Sequence, residues 1–112
     1  MNGNVADLQE KVRQFCEARE WSRFHSIKNL AIGAVTEASE LLEPFRFLDD
    51  AGSLEFVNSE TGRVAVEDEL ADVFFFLLRI SQMHGIDLSG ALERKLVKNA
   101  LKYPSPASIP ST

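Results

Sequence analysis

The segment VEDELADVFFFLLRIS, Val66 to Ser81, constrains this chain more than any other. From Leu70 to Ile80 it would be apolar on nearly every side of a helix, broken only by Asp72 and Arg79. A helix that is apolar all round has to be covered all round. Its uncharged run VFFFLL is far too short for a bilayer, which takes about 20 apolar residues, so the cover has to be protein. One layer of four helices from 112 residues supplies that cover with difficulty, and the pattern therefore predicts self-association into a homo-oligomer.

The rest of the chain is also patterned for helices. Val5, Leu8, Val12, Phe15 and Cys16 recur at three- and four-residue steps and predict an amphipathic helix ending near Glu20. After a turn at EWSRFHS, Ser26 is placed to cap a second helix whose apolar positions run Ile27, Leu30, Ala31, Ala34, Ala38 and Leu41, with a kink or stop at Pro44. DDAGSLEFVNSETG, Asp49 to Gly62, has no sustained period and reads as a connection. A third helix is expected from Arg63 or Val64 to Met83, closed by Gly85, and a fourth from Asp87 or Ser89 to about Tyr103. No segment alternates as a strand does. The expected fold is an all-α four-helix domain over residues 1–104, followed by a mobile tail over 105–112, PSPASIPST being rich in proline and free of apolar repeat.

Charge narrows the partners. Seventeen acidic against twelve basic residues leave a net charge of -5, which argues against a nucleic-acid polymer or an anionic membrane and in favour of a cationic partner or a metal. One cysteine, Cys16, permits no internal disulfide, and MNGNVADLQEK lacks the apolar centre of a signal peptide. A cytoplasmic location is the expectation.

The acids themselves repeat. Glu37 and Glu40 are three apart in EASELLEPF, and Glu69 and Asp72 are three apart in the third helix. Such spacing sends two carboxylates from one helical face, and antiparallel packing of the two helices would let four converge. Two unit charges about 5 Å apart repel by roughly 3 kcal/mol at an effective dielectric near 20, so protons or a cation must compensate. An all-oxygen set suits Mg²⁺, with Mn²⁺ as a substitute, and a metal-dependent phosphate chemistry. The competing reading is a helical interaction module with solvated acidic faces, since glutamate pairs at this spacing are common. Against it, Ala34, Ala38 and Leu41 flank the first pair and Leu70, Val73 and Phe76 the second. A di-iron bundle would need Glu-x-x-His ligands, and neither His25 nor His84 follows a candidate glutamate at that distance.

FHSIKNLAIGAVTEASELLEPFRF, EDELADVFFFLLRIS and KLVKNALKYP, taken together, resemble the MazG-like all-α nucleoside triphosphate pyrophosphohydrolases, on the side of the dCTP pyrophosphatases. The resemblance runs from Leu8 to Pro104. It implies Glu37, Glu40, Glu69 and Asp72 as catalytic Mg²⁺ ligands, Lys95 and Asn99 as triphosphate contacts with Tyr103 closing the pocket, and Trp21, His25 and Asn29 as the segment that meets the nucleotide. It also implies hydrolysis between the α- and β-phosphates to a monophosphate and pyrophosphate, a role in nucleotide-pool cleaning, and dimers or dimers of dimers, so that a tetramer is expected. Read without the resemblance, Trp21 is a core edge, His25 a capping histidine, Lys95 and Asn99 an exposed face, and Tyr103 a packing residue before Pro104. Val12, Phe76 and Phe47 stand where relatives preferring dCTP are expected to carry histidine, tyrosine and tryptophan. That leaves stacking and shape in place of two polar groups for reading the base.

Overall fold

Side-chain caps set where each helix begins. The computed structural model describes residues 4–106, and its regular elements are all helical: α1 (Val5–Ala18), α2 (Ile27–Leu42), α3 (Asp50–Asn58), α4 (Glu60–Met83) and α5 (Leu88–Lys102), with 3-10 turns at Trp21–Phe24 and Glu43–Phe45. Asn4, Ser26, Asp49, Ser59 and Asp87 accept from the backbone N–H of Asp7, Asn29, Gly52, Gly62 and Gly90 in turn, each such cap being worth about 1 kcal/mol. Gly85 ends α4 with φ 63, as its position after Met83 predicts. Pro44 falls in the turn just beyond α2.

The fold has five α-helices among the described residues, not four. The expected connection from Asp49 to Gly62 is α3 and the first turn of α4, which starts at Glu60 and so earlier than its apolar period. The segment lacks helical periodicity because its glycines occupy the third helical position, yet the caps Asp49 and Ser59 specify both starts. Phe56 then meets Phe45 edge-on at 5.6 Å, which seats α3 beside the end of α2. Gly62 is required at the elbow, because a Cβ there would lie 1.8 Å from the Phe56 carbonyl oxygen. α1 stops at Ala18, slightly before the expected Glu20.

α4 is the spine on which α1, α2 and α3 pack. As α2 advances from Gly33 to Glu40, the facing positions on α4 retreat from Phe76 to Glu69, so the two run antiparallel. α1 is antiparallel as well: Gln9 Nε2 donates to Ser81 Oγ at 2.7 Å, and Phe15 meets Phe75 at 6.1 Å. The fully buried centre is small: Cys16, Leu30 and Leu78, together with the polar Arg79 and Ser81. α5 buries none of its residues and touches the other helices sparsely. The expected tail lies, at residues 107–112, outside the described residues.

Candidate active site

The antiparallel register of α2 on α4 brings the two acid pairs to one level. Carboxylate oxygens of Glu37, Glu40 and Glu69 lie within 4.8 Å of one another. Asp72, one methylene shorter, lies outside that trio; it lines the cleft beside Glu37 and acts on it through its charge. The full convergence of four oxygens expected from the spacing is thus three oxygens with a fourth carboxylate alongside.

Solvation separates these acids. Glu40 and Asp72 are exposed, whereas Glu37 and Glu69 are half-buried, and the Oε2 of each is out of water with no hydrogen-bond partner. A buried carboxylate oxygen without a donor is costly. Loss of water around Glu37, then the adjoining carboxyls of Glu40, Asp72 and Glu69, push its pKa from 4.5 up to about 7. For Glu37 and Glu69 the solvated-face reading therefore fails. Their unpaired oxygens, three carboxylates at ligand spacing and the absence of soft donors in the trio all fit a hard divalent cation.

Beside the trio opens a cleft of about 550 Å³ lined by Val12, Phe15, Trp21, Glu37, Ala71, Asp72, Phe75 and Phe76. Its aromatic rings form a connected series: Trp21 to Phe15 at 5.5 Å, Phe15 to Phe75 at 6.1 Å, Phe75 to Phe76 at 5.5 Å, each edge-on. Phe76 lies so close to α2 that a Cβ on Gly33 would come 2.4 Å from its Cε1. On the other side of the acids Glu40, Glu43, Pro44, Asp68 and Glu69 border a second hollow of about 500 Å³. The carboxylates thus stand between an apolar chamber and an acidic one. Phe15 and Phe75 are cleft residues that their helical spacing marks only as core. The signal available in the sequence was the surplus of aromatic residues facing the acids, which exceeds what this small core encloses.

The remaining candidates divide. Trp21 lines the cleft; His25 meets its ring at 6.1 Å, and Asn29 Nδ2 donates to the Phe24 carbonyl at 3.1 Å, so these three hold one turn together. Val12 and Phe76 line the same cleft, but Phe47 is 90% exposed beneath the Arg46 guanidinium. Lys95 and Asn99 lie on α5 and Tyr103 caps its end, Lys95 and Tyr103 exposed, and none of them borders the acid trio or the cleft in the single chain.

No family model matches the chain. Among curated proteins it is 31% identical over 100 residues to dCTP pyrophosphatase 1 of Rattus norvegicus and 30% identical over 101 residues to that of Homo sapiens, with 89% and 90% of this chain matched. The chain spans 59% of the length of those relatives. The crystal structure of a pyrophosphatase from Archaeoglobus fulgidus superposes with a TM-score of 0.83 at 33% identity, over 94% of this chain and 96% of that one. With the helical order and most of both chains shared, this chain belongs to the MazG-like all-α pyrophosphohydrolase family that includes the dCTP pyrophosphatases.

Proposed function

We propose that the chain hydrolyses a deoxynucleoside triphosphate, dCTP or a modified cytosine nucleotide first, to its monophosphate and pyrophosphate with Mg²⁺, Mn²⁺ serving as a substitute. The observation that carries this reading is the trio Glu37, Glu40 and Glu69 within 4.8 Å at the edge of an aromatic cleft. The names of the relatives support the substrate class. Glu37, Glu40 and Glu69, with Asp72 beside them, are the residues that would hold the ion, which when bound polarises phosphoryl oxygens and acidifies water.

This chain's own groups do the rest. Trp21, Phe15, Phe75 and Phe76 receive the base by stacking and shape, in a chamber that keeps water from its faces. Exposed Glu40 and Asp72 are the carboxylates that solvent reaches, and their oxygens are where the proton of an attacking water is taken. Lys95 and Asn99, one turn apart on α5, donate to phosphate oxygens, with Tyr103 closing over them.

That last assignment requires assembly, and we assign the working form as a homo-oligomer, a tetramer first. The accessible surface is 8661 Å², against about 6,200 Å² for a compact monomer of this mass. The radius of gyration is 17.8 Å, where about 13 Å is usual for this length. Leu41, Leu70, Phe74 and Leu77 line an open apolar groove along α2 and α4, and α5 exposes Leu92, Leu96 and Leu101. A further copy covers these faces and brings α5 residues to the acids. Among the described residues no helix is long and apolar enough to cross a membrane, and we place the protein in the cytoplasm, cleaning nucleotide pools.

Incubating the protein with Mg²⁺ and a panel of canonical and modified deoxynucleotides, and resolving the products by chromatography, tests the reading. Monophosphate plus pyrophosphate is expected. Orthophosphate release, or no turnover of any nucleotide, overturns it. Sedimentation that shows a stable monomer at micromolar concentration overturns the assembly.

A further inference from the structure

Arg79 puts a full charge where the chain has least water. It is 1% exposed and the largest fully buried side chain, with no carboxylate among its hydrogen-bond partners. Nε donates to His25 Nδ1 at 3.0 Å, Nη1 to Gln82 Oε1 at 2.6 Å and Nη2 to Ser22 Oγ at 2.9 Å. Removing a guanidinium from water costs several kcal/mol even when its donors are satisfied, and an apolar side chain of similar volume is commonly as stable or more so. Stability therefore does not account for an arginine here. Its bonds do point somewhere, since two of the three reach the short segment from Ser22 to His25.

That segment follows directly on the one residue of the turn that lines the cleft, Trp21. Glu20 enters it at φ 55, a left-handed conformation that a non-glycine residue holds only where its surroundings enforce it. Trp21 follows and lines the cleft. From α2, Asn29 secures the turn through the Phe24 carbonyl; from α4, Arg79 secures it through Ser22 and His25. Among the described residues, these side-chain hydrogen bonds are what tie the turn to α2 and α4.

A chemical consequence follows from donor and acceptor roles. A guanidinium has only donors and does not deprotonate, so His25 Nδ1 has to offer its lone pair. The imidazole is then the neutral tautomer with its proton on Nε2. A second ring proton would set two cations 3.0 Å apart. Burial first, and then the Arg79 charge, hold the imidazole below its usual pKa. The other titratable group facing Arg79 is Cys16 of α1, whose thiol burial pushes up and so keeps neutral.

We propose that Arg79 is a positioning residue of the nucleotide site, anchoring the turn that follows Trp21 and locking His25 as the neutral tautomer with its proton on Nε2. The role toward ligand rests on the nucleotide reading above; the tautomer does not. Nitrogen-15 spectra of His25 in the ligand-free protein therefore test the lock by itself. The expected result is a single Nε2–H tautomer that titrates below the ordinary 6.5, with Arg79→Met giving mixed tautomers and titration returned toward 6.5. An Nδ1–H tautomer in the unmodified protein, or titration there near 6.5, overturns the proposal whatever the substrate proves to be. Trp21 is the sole tryptophan, so acrylamide quenching of its emission reports the turn, and Arg79→Met is expected to raise it. For dCTP hydrolysis with Mg²⁺ the same variant should raise KM about tenfold with kcat changed little, and Ser22→Ala should do so to a smaller degree. A purely structural arginine would lower thermal stability and leave KM and the His25 tautomer unmoved, which overturns the positioning role.

Discussion

The seam between α2 and α4 and the free-standing α5 carry the two halves of the proposed site, and they are built in opposite ways. The seam is made by one chain: its register is fixed by Phe76 against Gly33, and its acids are held together although their charges repel. α5 is also a capped amphipathic helix, begun by Asp87, yet it buries no residue and leaves Leu92, Leu96, Val97 and Leu101 in solvent. Local sequence forms both helices equally well. Only the seam has its partner within the same chain, so its geometry is intrinsic and that of α5 depends on what else it meets.

The sharpest way to break this contrast is to remove a proposed ligand group from the seam. Glu69→Gln is expected to lower turnover by about 100-fold or more, since even second-shell changes around metals cost 10–100-fold, while calorimetry with Mg²⁺ should show the lost binding. Next comes the elbow that aligns α3 with α4. Gly62→Ala would drive a Cβ against the Phe56 carbonyl, and overpacking of about 1–3 kcal/mol or more should lower the melting temperature by several degrees at least. Gly33→Ala should cost less, because the Phe76 ring can shift. On α5, Lys95→Ala should raise KM about tenfold with no change in melting temperature, and a fall in melting temperature equal to that of a seam variant would erase the contrast.

A smaller effect concerns pH. Glu37 is raised from 4.5 to about 7 in the folded chain without a cation. Between those values the folded state keeps a proton that the unfolded chain gives up, so stability should fall as pH rises from 4.5 to about 7 and level off above. Thermal scans in chelator should show that decline, and excess Mg²⁺ should flatten it. Last, Phe47→Ser on the 90% exposed ring should leave stability within about 0.5 kcal/mol, unless an assembled partner covers it.

How much of this was legible in the chain follows the same division. The Ser26 cap and Gly85 are local signals that the structure places as read, and of the four spaced acids it brings three together. α3 is hidden in the sequence because its two caps and the contact of Phe45 with Phe56 carry no period. Asp72 was placed one step too close to its companions, since spacing fixes a direction round the helix but not the reach of the shorter side chain. Arg79 reads in the sequence as an interruption of an apolar run; only tertiary contact shows that it grips the opposite turn.

Gly33 is a spacer between α2 and α4. It lies one turn before Glu37, as Phe76 lies one turn after Asp72, so the thinness of one residue sets how near the two carboxylate rows can come. Mg²⁺ demands oxygens at about 2.0–2.1 Å and Ca²⁺ accepts them at about 2.3–2.6 Å. In the proposed cation site a hydrogen in place of a methyl group would thus act as a calliper on ionic radius: thickening it would part the rows and favour the larger ion.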